Sequence, residues 1–216
     1  MTTTRDRGVA PHLAVKIIVA GGFGAGKTTL IGSVSESPPL LTEEILTENG
    51  ARVDSLDGVA AKTTTTVALD HGRRTLKVPR QLTLLLFGTP GQDRFRVLWD
   101  ELTYGAVGAV VVADTRRLTD SFDPIDYFEN RKMPFVVAVN EFDGAHRYPV
   151  PAVRRALALP PPVPVVPCDA RDFASAVTVL KALVTYALTA RTRMDPTTGP
   201  PAAPGPDPRP PQGAHP

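Results

Sequence analysis

The sequence predicts an α/β fold with a doubly wound, mostly parallel sheet and helices on both faces. Three observations carry that prediction. Strand-like and helix-like segments alternate along the chain, and several strand-like segments are short, Val-rich and flanked by turn residues, as buried parallel strands are. Third, Gly21-Gly22-Phe23-Gly24-Ala25-Gly26-Lys27-Thr28 fits the phosphate-loop pattern GxxxxGK[ST] and joins an apolar strand to a helix.

The first strand is read at 13–20, and the helix after the loop at 27–36, with Leu30, Ile31 and Val34 inward. Strands at 64–70 and 81–87 follow, with His71-Gly72 as a tight turn of an antiparallel pair that forms one antiparallel edge. Segments 107–113, 135–139 and 163–166 complete six strands, and helices fit at 92–104, 123–131 and 151–158. A last helix at 171–191 sets Phe173, Val177, Leu180, Val184 and Leu188 three or four residues apart, one stripe for the sheet. Segment 37–61 is long for a connection and acidic, and is read as a partly helical, mobile effector segment.

The domain therefore spans 13–193, after a flexible 1–12 segment. From Pro196 to Pro216 nine of 21 residues are proline and none is a large aliphatic, Phe, Tyr or Trp, so residues 194–216 are read as a disordered tail. A net charge of +2 without a concentrated basic face argues against a nucleic-acid partner. The longest apolar or glycine run, at 105–113, falls short of a membrane span, and Cys168 has no second cysteine to pair with. The expectation is a cytoplasmic protein with no direct membrane insertion, recruited to the membrane's inner face only by partners.

The phosphate loop defines the first half of a site. Its glycines, Gly21, Gly24 and Gly26, free backbone N–H groups to curl around phosphate oxygens, with Ala25 between them and the first helical turn, including Thr29, behind. Lys27 reaches the β and γ phosphates, and the Thr28 hydroxyl binds Mg²⁺. The base must be read elsewhere, since one such loop serves ATPases, kinases and GTPases alike.

Later strand ends carry Gly88-Thr89-Pro90-Gly91-Gln92, Asn140-Glu141-Phe142-Asp143 and Cys168-Asp169-Ala170-Arg171, and four threonines, Thr63 to Thr66, open the second predicted strand. In order and placement these resemble the G-motifs of Ras-like small GTPases, over about 13–191. The phrases around Phe23, Lys62 to Asp70 and Leu86 to Phe95 resemble the conservon GTP-binding proteins of actinobacteria, a branch near the bacterial MglA-type GTPases.

The resemblance implies a guanine-nucleotide switch that binds GTP or GDP with Mg²⁺ and hydrolyses GTP. Asp143 then takes two hydrogen bonds from guanine N1 and N2, Asn140 ties the base loop to the phosphate loop, and the Ala170 N–H donates to guanine O6, with Asp169 and Arg171 flanking. Thr66, with Thr65 second, binds Mg²⁺ and the γ-phosphate; Gln92, after Gly91, orients the attacking water. Implied partners are a roadblock-type regulatory protein and a membrane sensor resembling a histidine kinase. Four departures bear on rate and affinity. Gly88 replaces a metal-associated aspartate, Phe23 a loop glycine and Glu141 a lysine over the base, and Pro90 stiffens the switch, so slow hydrolysis is expected. An interaction module with little or no hydrolysis is the alternative.

Overall fold

The computed structural model describes residues 13–37, 40–47, 64–76, 82–91, 96 and 98–194, with backbone alone at 40–47, 64–68 and 191–194. In chain order come β1 (Leu13–Ala20), α1 (Lys27–Val34), β2 (Leu40–Thr47), β3 (Thr64–Leu76), β4 (Leu82–Gly88), α2 (Leu98–Thr103) and β5 (Ala106–Asp114). A short 3-10 segment (Thr115–Ser121) follows, then α3 (Phe122–Asn130), β6 (Phe135–Asn140), α4 (Val150–Ala156), β7 (Val165–Cys168) and α5 (Phe173–Met194).

The strands form one sheet in the order β2-β3-β4-β1-β5-β6-β7. β1 is parallel to both β4 and β5, and β5, β6 and β7 continue in parallel. All six predicted strands are present, and only β3 runs against the rest. It is not the edge, however: β2 pairs antiparallel with it, Leu40 opposite His71 and Thr47 opposite Thr64. That seventh strand lies in the segment read as partly helical; the rest of 48–61 lies outside the described residues.

Apolar alternation explains the two cores. Ile17, Val19, Leu84, Leu86, Val110 and Val112 face one side of the sheet and pack with Leu30 and Ile31 of α1 and Val179 and Leu183 of α5. Ile18, Val111, Val137 and Val139 face the other, under Trp99 of α2, Ile125 and Phe128 of α3, and Val153 of α4. Residues two apart share a face of a strand, so a β-branched run buried on both sides needs helices on both sides. Helix α5 is the one described helix long and apolar enough to cross a membrane by composition. Here Val179, Leu180 and Leu183 pack it on the sheet core.

His71-Gly72 is no turn. β3 continues through both residues to Leu76, with His71 opposite Phe87 and Gly72 opposite Leu86. Gly72 is there for contact: a Cβ on it would come 2.5 Å from Ile31 Cγ2, so α1 lies directly against β3. Replacing Gly72 with Ala is expected to destabilise the domain by about 1–3 kcal/mol through overpacking, read as a lower urea midpoint at unchanged slope.

Candidate nucleotide site

The chain runs from β1 outward to one side of the sheet and from β5 to the other, so β1 and β5 flank the point where strand order reverses. Open α/β sheets place ligands outside the carboxyl ends of strands at such a point. The phosphate loop leaves β1 there, beside the turns that end β5, β6 and β7.

Lys27 opens α1 and is 9% exposed; its Nζ donates to the Gly21 and Gly22 carbonyls at 2.9 and 2.8 Å. Burial lowers its pKa to about 8, against a smaller raising effect of Asp70. Thr28 and Thr29 are exposed on the same first turn. The Ala25 N–H turns back onto the Gly22 carbonyl at 3.2 Å, whereas the Gly24, Gly26 and Lys27 amides find no acceptor among the described residues. Unpaired N–H groups at a helix start make a cradle for an anion.

Asn140, at the end of β6, joins three loops. Its Nδ2 donates to the Ala25 carbonyl at 2.9 Å, and its Oδ1 accepts from the Ala170 N–H at 3.1 Å. Gly26 makes room: with φ at +107°, it approaches so closely that a Cβ would sit 2.4 Å from Asn140 Nδ2. The Ala170 amide, expected to face a base oxygen, is thus engaged by Asn140, because the asparagine has both an acceptor and a donor to satisfy at the buried seam.

Asp143 stands on the same rim and is 83% exposed. Arg171 donates to its two oxygens at 2.6 and 3.0 Å and also to Asp169, at 2.9 and 2.8 Å. Hydrogen bonds from Arg171 hold the Asp169 carboxyl at about 2 and lower that of Asp143. An exposed, solvent-screened pair of this kind contributes little to stability, so a ligand with two matched donors can displace the arginine from Asp143. Glu141 pairs with Arg147 at 3.1 Å, and Arg116 lies over the Phe142 ring at 3.7 Å.

The sequence reading did not assign Asp70 to the metal set. The β3–β4 register that pairs His71 with Phe87 puts Asp70 opposite Gly88, and a Cβ on Gly88 would come within 3.0 Å of Asp70 Cβ and 3.3 Å of its Oδ2. The carboxylate expected from β4 is supplied by the neighbouring strand, and Thr28 Oγ1 donates to Asp70 Oδ2 at 2.5 Å. Two signals pointed to it: the missing acid at Gly88 and an acid four residues after Thr66 in the threonine-rich phrase. Thr66 pairs with Ile45 four residues back along β3 from Asp70, about 13 Å at ordinary strand rise. Its side chain, with Thr63, Gln92 and Arg94, lies outside the described residues. Gly91 closes the site, since a Cβ on it would meet Lys27 Nζ at 2.8 Å and Phe23 N at 3.1 Å. Phe23 itself is 68% exposed, so its ring does not fill the cradle. Arg96 pairs with Asp123 at 3.5 Å, turned to α3.

A phosphate loop after the first strand, an asparagine clamp from a later strand end and this strand order define a P-loop nucleotide-binding domain with the fold of a G domain. The chain belongs to the family described as conserved hypothetical ATP binding protein, whose model matches residues 19–190. The uncharacterized protein MJ1339 of Methanocaldococcus jannaschii is 30% identical over 131 residues, 60% of this chain and 71% of that one. Among solved structures, the G domain of the T. maritima FeoB iron transporter matches at TM-score 0.51 and 21% identity, over 82% of this chain and 99% of that one. The FeoB G-domain from Methanococcus jannaschii matches at TM-score 0.54 and 14% identity, over 82% and 99%. The apo cytosolic domain of T. maritima FeoB matches at TM-score 0.56 and 19% identity, over 81% of this chain and 64% of that one. At these identities the shared property is the fold.

Lys27 also gives a pH signature. Its charge is penalised by burial in the free protein, and phosphate oxygens favour the charged form, so ligand binding raises its pKa from about 8. Nucleotide binding at pH 8 to 9 is therefore expected to take up a fraction of a proton, with affinity falling as pH rises through this window. Calorimetry in two buffers of different ionisation enthalpy measures the uptake.

Proposed function

We propose that this chain is a guanine-nucleotide-dependent switch that binds GTP and GDP with Mg²⁺, hydrolyses GTP slowly and signals through partner proteins. The observation that supports it best is the Asn140 clamp, which fixes the β6 turn bearing Asp143 to the phosphate loop at Ala25. A purine held with its phosphates against the Gly24 to Thr28 amides meets Asp143 on the same rim. Guanine offers N1–H and N2–H to one carboxylate; adenine has no such pair and leaves the acid unmatched.

The Thr28 hydroxyl and the Asp70 carboxylate are hard oxygen donors that fit Mg²⁺ when phosphate oxygens and water complete its shell. Bound there, the ion neutralises phosphate charge. Lys27 orients the β and γ phosphates, and Gln92 is assigned the attacking water. Gly91 against Lys27 makes the end of β4 a sensor of the terminal phosphate, whose presence would reset that segment and the surface offered to partners. A conservon-type or MglA-like subtype fits the threonine-rich strand and the Thr-Pro-Gly-Gln phrase, with a roadblock-type protein and a membrane sensor as partners and a cytoplasmic location.

The family's description names ATP, so the decisive experiment is competition of ATP, ADP, GTP and GDP against labelled GDP, with and without Mg²⁺. Guanine nucleotides are expected to win by at least about 100-fold, as carboxylate-mediated rejection of an unmatched base allows. Equal competition by ADP and GDP rejects the guanine assignment. Failure to release phosphate from bound GTP, alone or with partners, leaves a binding module without turnover.

A further inference from the structure

Arg117 is not among the residues assigned above, yet it touches the phosphate loop. It lies in the Thr115–Ser121 segment after β5, where its own φ of −143° and ψ of 57° break the helical path. Its Nη2 donates to the Phe23 carbonyl at 2.6 Å, and a Cβ on Gly24 would be 3.3 Å from the same nitrogen. The guanidinium is held between Asp114 and Asp120, each 4.0 Å away, and Asp120 itself packs on Gly22, whose Cβ would meet it at 2.5 Å. Asp114 is 3% exposed and is fixed by Arg116 at 2.8 Å, so the support under Arg117 is rigid.

The peptide bond converts this contact into an aiming device. In a trans peptide the C=O of one residue and the N–H of the next point to opposite sides of a rigid plane. With the Phe23 carbonyl turned to Arg117, the Gly24 N–H is turned away from it, and that amide has no acceptor among the described residues. Phe23 also borders Gly91 and, through it, Lys27, which is the end of the loop that serves the terminal phosphates. A cation on the carbonyl polarises the amide and strengthens its N–H as a donor.

We propose that Arg117 is a positioning residue that fixes the Phe23–Gly24 peptide so that the Gly24 N–H points at the junction of the β and γ phosphates; this rests on the reading of the site as a nucleoside triphosphate site. In hydrolysis, the water oxygen bonds to the γ phosphorus while the bond from that phosphorus to the β–γ bridging oxygen breaks. The electron pair stays on the bridging oxygen of the diphosphate, and both water protons end on the released phosphate. Negative charge grows on that bridging oxygen, and a preset N–H favours the transition state over the ground state.

The test compares full-length wild type with Arg117→Ala and Arg117→Lys. For Arg117→Ala, single-turnover GTP hydrolysis is expected to fall about 10- to 100-fold, and the affinity ratio of a non-hydrolysable GTP analogue to GDP to fall about fivefold. GDP affinity should stay within about threefold, and Lys, which also donates to a carbonyl, should recover most of the loss. In wild type, the Gly24 amide proton should move downfield when the GTP analogue replaces GDP, a reading independent of how the variants fold. Unchanged hydrolysis and ratio in Arg117→Ala, equal loss of GDP and GTP analogue, or a Gly24 proton indifferent to the analogue each overturn the positioning role. Wild-type protein that binds no purine nucleotide overturns the proposed function instead.

Discussion

Lys27→Met is expected to lower nucleotide affinity by at least about 100-fold, because it removes the one buried cation among the described residues, assigned above to the phosphates, a loss of about 3 kcal/mol or more in charge-assisted hydrogen bonds. The same change should leave the nucleotide-free protein no less stable. Without ligand, Lys27 is a desolvated ammonium with its pKa lowered to about 8. A lysine whose pKa is lower in the folded than in the unfolded state opposes folding most strongly below the folded value, and the penalty fades as pH rises toward the unfolded one. Methionine keeps the aliphatic bulk and removes that penalty, while the Gly21 and Gly22 carbonyls lose their donor. Denaturant midpoints at pH 7 and equilibrium titration with a fluorescent nucleotide separate the two effects. A variant that binds GDP as wild type does would place the phosphates elsewhere.

Asp143→Asn should turn the purine preference from guanine toward xanthine by at least about 100-fold. An asparagine can turn its N–H₂ toward the xanthine O2 and its carbonyl toward N1–H, whereas guanine N2–H₂ then faces a donor. The ion pairs add a second expectation: without the carboxylate, Arg171 keeps, among the described residues, only Asp169 as an anionic partner. Because the Asp143 pair is exposed, its loss should change the melting temperature little while the base preference moves widely. Competition of xanthosine and guanosine diphosphates on both proteins gives the answer. Retained guanine preference in the variant would mean that Asp143 is merely a counter-ion for Arg171.

The parts of this fold legible in the sequence are those written locally. The phosphate loop, the apolar β1 before it and the Val-rich β5 and β6 depend on neighbours in the chain, and they stand where periodicity put them. The tie made by Asn140 was implied by the resemblance of Asn140-Glu141-Phe142-Asp143 to a G-motif. What escaped was settled by pairing between distant segments. β2 carries the adjacent glutamates Glu43 and Glu44, which suit no strand strongly, and it exists because β3 offers it a ladder. Gly72 has the composition of a turn but the function of a flat spot under Ile31, a contact invisible in one dimension. Asp70 takes its position from the register of β3 on β4, and Arg117 from a kink after β5.

The Asn140 side chain also has a kinetic meaning. One carboxamide bonds to Ala25 on one side and to Ala170 on the other, so fraying of the turn after β1 strips an acceptor from it, and fraying of the turn after β7 strips a donor. Three surface turns, remote in sequence, should therefore breathe as one cooperative unit, with hydrogen exchange at Ala170 slowed to the rate at which the whole rim opens.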